Sequence, residues 1–285
     1  MQNATRNRKA FVIAHYNEAA QVSPDLFRLV AYLNKQRAKV VFVSTNLTDT
    51  HCKALSSHST VIRRENFGYD FWSYKIGIDA LGDLKHYDRV TLLNSSFLIL
   101  SPPLLCEVFL SSPKTPAMRG LSMSHDKGKH LQSYWVAFET TQLLTSAYFK
   151  EWWNNMTPIS ERQSVIDTYE VGMTKYFEMN GIPIISVYEP TPTDLMLATF
   201  RMFARGRRKF ETETRTLTIS SLGAEKLNPT HFLWEKLLVE CGIIKYELLK
   251  KNPEEIPLRA FYKLIKDSED AKISLKLNSV NYPES

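Results

Sequence analysis

Along the first hundred residues, short apolar runs alternate with amphipathic stretches. Phe11-Val12-Ile13-Ala14, Val40-Val41-Phe42-Val43, Val61-Ile62 and Val90-Thr91-Leu92-Leu93 are apolar with little polar alternation. Runs of this kind fit strands covered on both faces, as in a parallel sheet flanked by helices. Between the first two, Pro24 and Asp25 open a helical pattern through Leu26, Leu29, Val30 and Leu33. A second such pattern runs from about Asp70 to Leu81 and stops at Gly82. The order predicts strand, helix, strand, helix, strand, helix, strand: an α/β fold, Rossmann-type, with a mostly parallel sheet.

Each of these strands runs out into polar residues. His15-Tyr16-Asn17-Glu18 follows the first, Ser44 to Asp49 the second, the stretch from Arg64 the third and Asn94-Ser95-Ser96 the fourth. In an open parallel sheet these ends share one edge, where ligands bind. The segment Arg64-Glu65-Asn66-Phe67-Gly68-Tyr69-Asp70-Phe71-Trp72-Ser73-Tyr74-Lys75 is the densest in chemistry, with both charges, an amide and a row of aromatic rings. Neither GxGxxG nor GxxxxGK[ST] occurs, so the common dinucleotide and P-loop signatures are missing.

The second half is more mixed. Ala117 to Met123, Tyr134 to Phe138 and Ile184 to Val187 read as strands, and Tyr148 to Trp153 and Val165 to Asn180 as helices, the latter closed by Gly181. Trp152 and Trp153 are adjacent and cannot share a helix face, so at most one is free to stack on a sugar. Asn228-Pro229-Thr230 reads as a helix start leading to Gly242. The tail from about Asp267 is polar and reads as mobile.

Composition adds limits. The chain has 285 residues, 44% hydrophobic and 23% charged, which suits an ordinary globular protein with a sizeable core. Its three cysteines, Cys52, Cys106 and Cys241, are far apart and form no CxxC pair, which fits a reducing compartment and no structural zinc. The N-terminal residues have no apolar core for a signal peptide, and no run approaches the roughly 20 residues of a membrane span. The expected location is the cytoplasm, at the inner face of the cytoplasmic membrane if it touches one. The formal charge is +6. Much of it falls on Arg201, Arg205, Arg207, Arg208 and Lys209, a patch that suits either a peripheral membrane contact or a solvated loop. With Phe203 as its one aromatic it lacks the repeated interleaved aromatics of a base-stacking surface, so nucleic acid is not an expected partner.

Several strings in order resemble one family. The Arg64 to Asp70 stretch with Ile76-Gly77-Ile78, then Leu92-Leu93-Asn94-Ser95-Ser96, resembles inverting GT-A glycosyltransferases. His130-Leu131-Gln132-Ser133-Tyr134, Tyr169-Glu170-Val171-Gly172, Asn228 to Glu235, and Lys245-Tyr246-Glu247-Leu248-Leu249 resemble the rhamnan synthesis F family. The resemblance covers about Phe11 to Pro253. It implies a GT-A-like fold with a catalytic domain over residues 1–200, its nucleotide-sugar half about 10–100 and its acceptor half about 115–200. Residues 201–285 then form a basic segment and a helical C-terminal extension packed on the same domain. It implies an inverting glycosyltransferase that moves a sugar, L-rhamnose from dTDP-L-rhamnose, onto a lipid-linked or polysaccharide acceptor of O-antigen or rhamnan type. The alternative is a non-catalytic nucleotide-sugar or glycan-binding module.

An inverting transfer needs a base for the acceptor hydroxyl and positive charge or donors on the leaving diphosphate. Glu170 is the candidate base, with Asp167 in reserve; either also suits a helix start. Asp70 is the second catalytic candidate, as a ligand of donor sugar hydroxyls, and equally a helix N-cap. Candidate nucleotide-sugar contacts are His15, Tyr16, Asn17, Asn46, Arg64, Asn66, Gly68, Lys75, Asn94, Ser95 and Ser96. Candidate acceptor contacts are His130, Gln132, Ser133 and Tyr169. His231 and Trp234 read as packing and capping residues. GT-A enzymes commonly hold Mg²⁺ or Mn²⁺ with carboxylates in the loop where this chain has Asn94-Ser95-Ser96. Hard cations want charged oxygens. The departure points to metal independence, with Arg64, Lys75 or His130 replacing the charge, or to Asp70 supplying a ligand, or to a weakened enzyme.

Overall fold

The computed structural model describes residues 9–124, 128–201, 228–253 and 255–280. Strand β1 (Lys9–His15) is paired in parallel on both sides, with β2 (Lys39–Ser44) and β4 (Arg89–Asn94), so that Ala14 stands opposite Val43 and Asn94. Strand β3 (Thr60–Arg63) continues in parallel beside β2. The connections carry helices α1 (Pro24–Lys35), α2 (Asp49–Ser56) and α3 (Tyr69–Ala80). All four parallel strands therefore end on one edge, as the apolar runs predict.

Beyond β4 come β5 (Phe97–Ile99), α4 (Pro102–Leu110), β6 (Ala117–Ser124), β7 (His130–Leu131) and β8 (Trp135–Glu139). Strand β8 pairs antiparallel with β4, and β6 antiparallel with β8. The helical stretch that follows comprises α5 (Thr141–Leu144), α6 (Ala147–Asn154), α7 (Arg162–Val165), a π-turn (Ile166–Val171) and α8 (Gly172–Met179). Strand β9 (Ile184–Tyr188) then returns parallel to β6. The main sheet runs β3-β2-β1-β4-β8-β6, with β7 and β9 both on β6. A helix over residues 192–201 (α9) follows. The C-terminal part holds α10 (Pro229–Phe232), α11 (Trp234–Cys241), β10 (Ile243–Lys245), α12 (Tyr246–Lys250), α13 (Arg259–Leu264) and α14 (Glu269–Leu277).

The alternation of β1 side chains divides the interior in two. Phe11 and Ile13 join Leu26, Leu29, Val30 and Leu33 of α1 and, from the C-terminal helices, Leu237, Phe261 and Leu275. Val12 and Ala14 face the other way, among Phe71, Tyr74 and Ile78 of α3 and Phe138, Phe149, Trp153 and Phe177. Trp153 is a core residue, and Trp152 packs on Tyr169 and Tyr176. At the base of the sheet, Arg89 is buried with its guanidinium on Glu139 at 2.7 Å and on the Val108 and Ser111 carbonyls. Arg119 reaches the same carboxylate at 2.8 Å. This fixes the register of β4, β8 and β6 at the end away from the strand-end loops.

Two expectations change. The tail from Asp267 to Val280 is not loose: Ala271, Ser274 and Leu275 form a buried stripe of α14 against α1, and Asn17 Nδ2 donates to the Leu277 carbonyl at 2.8 Å. Spacing by three and four residues builds that stripe from few apolar side chains. Strands β5 and β10 escape the sequence pattern because each is three residues long and they pair across a wide separation. Of the basic patch, Arg201 is tied to Glu235 and to the Phe232 carbonyl, while Arg205, Arg207, Arg208 and Lys209 lie outside the described residues. Among the described residues no helix is long and apolar enough to cross a membrane.

Helix α3 lies close on β1 at Gly77, where a Cβ would stand 2.1 Å from Val12 Cγ1. Gly77→Ala must push helix and strand apart. It is expected to destabilise the fold by about 1–3 kcal/mol, read as a lower midpoint in urea unfolding followed by circular dichroism.

Candidate active site

The site starts from a left-handed turn. Gly68 (φ 71°) and Tyr69 (φ 51°) reverse the chain after β3 and start α3. A Cβ on Gly68 would lie 2.6 Å from the Trp72 Cβ, so only glycine fits there. Arg64 holds the turn from inside. Its guanidinium donates to the carbonyls of Glu65, Phe67 and Tyr69 and to Ser73 Oγ. Arg64 thus braces the loop. Phe67 and Tyr69 stay exposed on this loop, and Asn66 is exposed beside them.

The turn places Asp70 in the first turn of α3, where Gly68 rather than Asp70 is the N-cap residue. The Asp70 carboxylate instead accepts from Asn94 Nδ2 at 2.8 Å. Asn94 in turn accepts on Oδ1 from the Ser96 N–H at 3.1 Å and the Ser96 hydroxyl at 2.5 Å. Loss of hydration raises the Asp70 carboxyl from 3.8 to about 6; the Asn94 bond opposes the rise, and the nearby charge of Glu170 adds to it. Residues with such displaced titration cluster at functional sites.

Glu170 lies on the π-turn, not at a helix start. Turns of this kind inside helices occur often at functional sites. The helix itself starts earlier and is capped by Glu161, which accepts from the N–H groups of Gln163 and Ser164. Glu170 Oε1 accepts from the Ser133 N–H at 2.8 Å and its hydroxyl at 3.0 Å. Its second oxygen accepts no hydrogen bond among the described residues. The Ser133 carbonyl is held by the Tyr74 hydroxyl at 3.0 Å. Burial and then the charges of Asp70 and Glu170 raise the Tyr74 hydroxyl well above its ordinary value, which keeps it a donor. Ser133 therefore joins α3 to the π-turn and brings the two carboxylates to one place. Asp167 is exposed and bonded to Gln163 at 2.8 Å.

The other expected contacts divide. Ser95 lies against the backbone of Tyr16, whose ring is exposed at the same edge. His15 is buried on Ser44 at 2.9 Å, and burial lowers it to about 4, so it is neutral. Asn17 and Asn46 build the loops: Asn17 caps Ala19 and holds Leu277, and Asn46 donates to the Asn17 carbonyl. Lys75 pairs with Asp79 one turn along α3, at 2.5 Å. Tyr169 is turned inward, with its ring against Phe71 and its hydroxyl on Thr157. His130 is buried on the Gly128 carbonyl. Gln132 is buried between Ser122 and Asn228.

Sequence reasoning missed the far wall of the site. The Tyr246 N–H donates to the Ser96 carbonyl at 3.0 Å, which brings Lys245, Glu247 and His231 next to the Asn94 loop. The string Lys245-Tyr246-Glu247 was visible, but its pairing with β5 was not. The donor set does not suit a divalent cation. Asn94 is bonded on both sides, Ser95 and Ser96 add only hydroxyls, and among the described residues no group of three His, Cys, Asp or Glu side chains could hold a metal ion.

A family model described as rhamnan synthesis protein F matches residues 40–205, more than half of the chain. The chain belongs to the rhamnan synthesis protein F family. The matched stretch contains Asp70, Asn94, Ser133 and Glu170. The virulence protein VirA of Vibrio anguillarum is 28% identical to this chain over 216 residues, which cover 72% of this chain and 66% of that protein. The uncharacterized protein y4gN of Sinorhizobium fredii is 28% identical over 172 residues, 58% of this chain and 45% of that one. The chain thus spans two thirds or less of these relatives' length. Among solved structures, it is similar to the glycosyltransferase GlyE of Streptococcus pneumoniae, with a TM-score of 0.47 and 13% identity over 97% of this chain and 65% of that one. It is also similar to the mannosyltransferase PcManGT of Pyrobaculum calidifontis, with a TM-score of 0.34 and 11% identity over 96% and 86%.

The raised Asp70 titration has a consequence for stability. The folded state binds this proton more tightly than the unfolded chain, so stability falls as pH rises from about 4 to about 6. Asp70→Asn removes the buried charge and keeps an acceptor for Asn94. Its melting temperature is expected to exceed that of the parent by a few degrees at pH 8 and to lose that advantage at pH 4, in thermal melts across this range.

Proposed function

We propose that this chain is a glycosyltransferase that moves a sugar from a nucleotide-diphosphate donor to a polysaccharide hydroxyl, with inversion. The observation that carries this is the meeting of Glu170 and Asp70 through Ser133 and Asn94, at the edge where all four parallel strands end. Family membership supports the same class. Glu170 is the base: Ser133 fixes one oxygen and leaves the other open to the acceptor hydroxyl. Asp70, held by Asn94, accepts from hydroxyls of the donor sugar and so orients its reacting carbon. The nucleotide lies over the first loop, where Tyr16 offers an exposed ring, and against the fourth, where Ser95 offers a hydroxyl. The family's name suggests L-rhamnose, carried on dTDP, and an acceptor of rhamnan or O-antigen type, free or lipid-linked. A peripheral contact with the membrane through the basic run from Arg201 to Lys209 would bring a lipid-linked acceptor within reach.

A binding module without catalysis is the second reading, favoured by the missing acids at Ser95 and Ser96. One experiment separates the two. Purified chain is incubated with dTDP-L-rhamnose, and with UDP- and GDP-sugars, plus isolated surface polysaccharide, and release of free nucleotide is followed. Glu170→Gln is expected to lower kcat by about 10²–10⁴ while nucleotide binding is retained. Full activity in that variant removes Glu170 from the base role, and binding without turnover in the parent favours the module.

A further inference from the structure

The leaving diphosphate of such a reaction needs positive charge beside the strand-end loops. The cations that the sequence offered are engaged elsewhere: Arg64 inside its own turn, Lys75 with Asp79, His130 on the Gly128 carbonyl. The Asn94–Ser96 loop does not fit a divalent ion. What stands beside that loop is the C-terminal segment. Strand β10 runs antiparallel to β5 with Lys245 opposite Phe97, the residue after Ser96. The Lys245 side chain is only 18% exposed, so it is largely covered by its neighbours. Its ammonium is 3.5 Å from Glu247, a looser pair than the roughly 2.7–2.9 Å of a strong charged hydrogen bond. The same carboxylate faces His231 Nε2 at 3.8 Å. Arg162, at the start of α7, acts on both Asp70 and Glu247, and Lys245, His231 and Arg162 together hold Glu247 below its ordinary range against the effect of burial.

We propose that Lys245 supplies the positive charge that holds the donor's diphosphate at Ser95 and Ser96, in the place of a divalent cation. This rests on the nucleotide-sugar reading above. In the empty site the Lys245 ammonium is taken by Glu247. A diphosphate therefore binds by displacing Glu247 from Lys245, one anion exchanged for another on the same ammonium. Removing Lys245 and removing Glu247 must then act in opposite directions, which a pair that merely held the fold would not do.

The test is calorimetric titration of dTDP, UDP and GDP into the full chain, in EDTA and then in excess Mg²⁺. At least one nucleotide is expected to bind in EDTA, with little change on adding Mg²⁺. Lys245→Ala should weaken it by about tenfold or more, Lys245→Arg should restore most of the loss, and Glu247→Gln should tighten binding. Thermal melts of each variant establish that it is folded; if Lys245→Ala is not, Lys245→Gln and Glu247→Gln decide the point. Binding that appears only with Mg²⁺, unchanged affinity in a folded Lys245 variant, or weaker binding in Glu247→Gln overturns the proposal. If none of the three nucleotides binds the parent with or without metal, the nucleotide-sugar reading falls, and this proposal falls with it.

Discussion

Parallel pairing of β1 on both sides is the constraint from which the rest of the structure follows. It sets Ala14 level with Val43 and Asn94, and so brings the ends of β1, β2 and β4 to one line. Parallel neighbours cannot be joined by a tight turn, so the chain must cross over through α1, α2 and α3. Those crossings cover both faces of the sheet and explain why the strands are apolar without alternation. The packing of Gly77 on Val12 then sets how near α3 lies to the strand, and with it the position of Asp70 above the end of β4.

The two carboxylates meet from distant parts of the chain, and the means of their meeting is a small set of hydrogen bonds. Ser133 is gripped by Tyr74 from α3 and by Glu170 from the π-turn. Asn94 connects Asp70 to Ser96. Neither carboxylate has a cation as hydrogen-bonding partner among the described residues. Bringing like charges together at partial burial costs free energy, and at Asp70 the charges of Arg64 and Arg162 offset only part of it. At the opposite end of the same sheet, Glu139 shows the ordinary solution, with an arginine on each side.

Much of the parallel half was legible in the sequence because its strands are long, apolar and punctuated by polar ends. The identities of Asp70 and Glu170 were legible too, through their family strings, but their surroundings were not. Arg64 and Tyr169 carry functional-looking groups that the fold directs to the Glu65, Phe67 and Tyr69 carbonyls and to Thr157. Sequence shows which donors a side chain has, not which acceptors reach them first. Lys245 stood in a family string too, but its place was hidden for a different reason: it is set by pairing with a strand far earlier in the chain, and no local pattern encodes such a partner.

That pairing also orders the life of the molecule in time. Residues 97–99 leave the ribosome long before 243–245 can join them. Contacts of such wide separation form late, because the loop between them must first be closed. A growing chain can therefore assemble the parallel strands and both carboxylates while the wall that carries Lys245 is still missing. The strand-end edge in its finished form therefore needs the chain to have been made as far as residue 245.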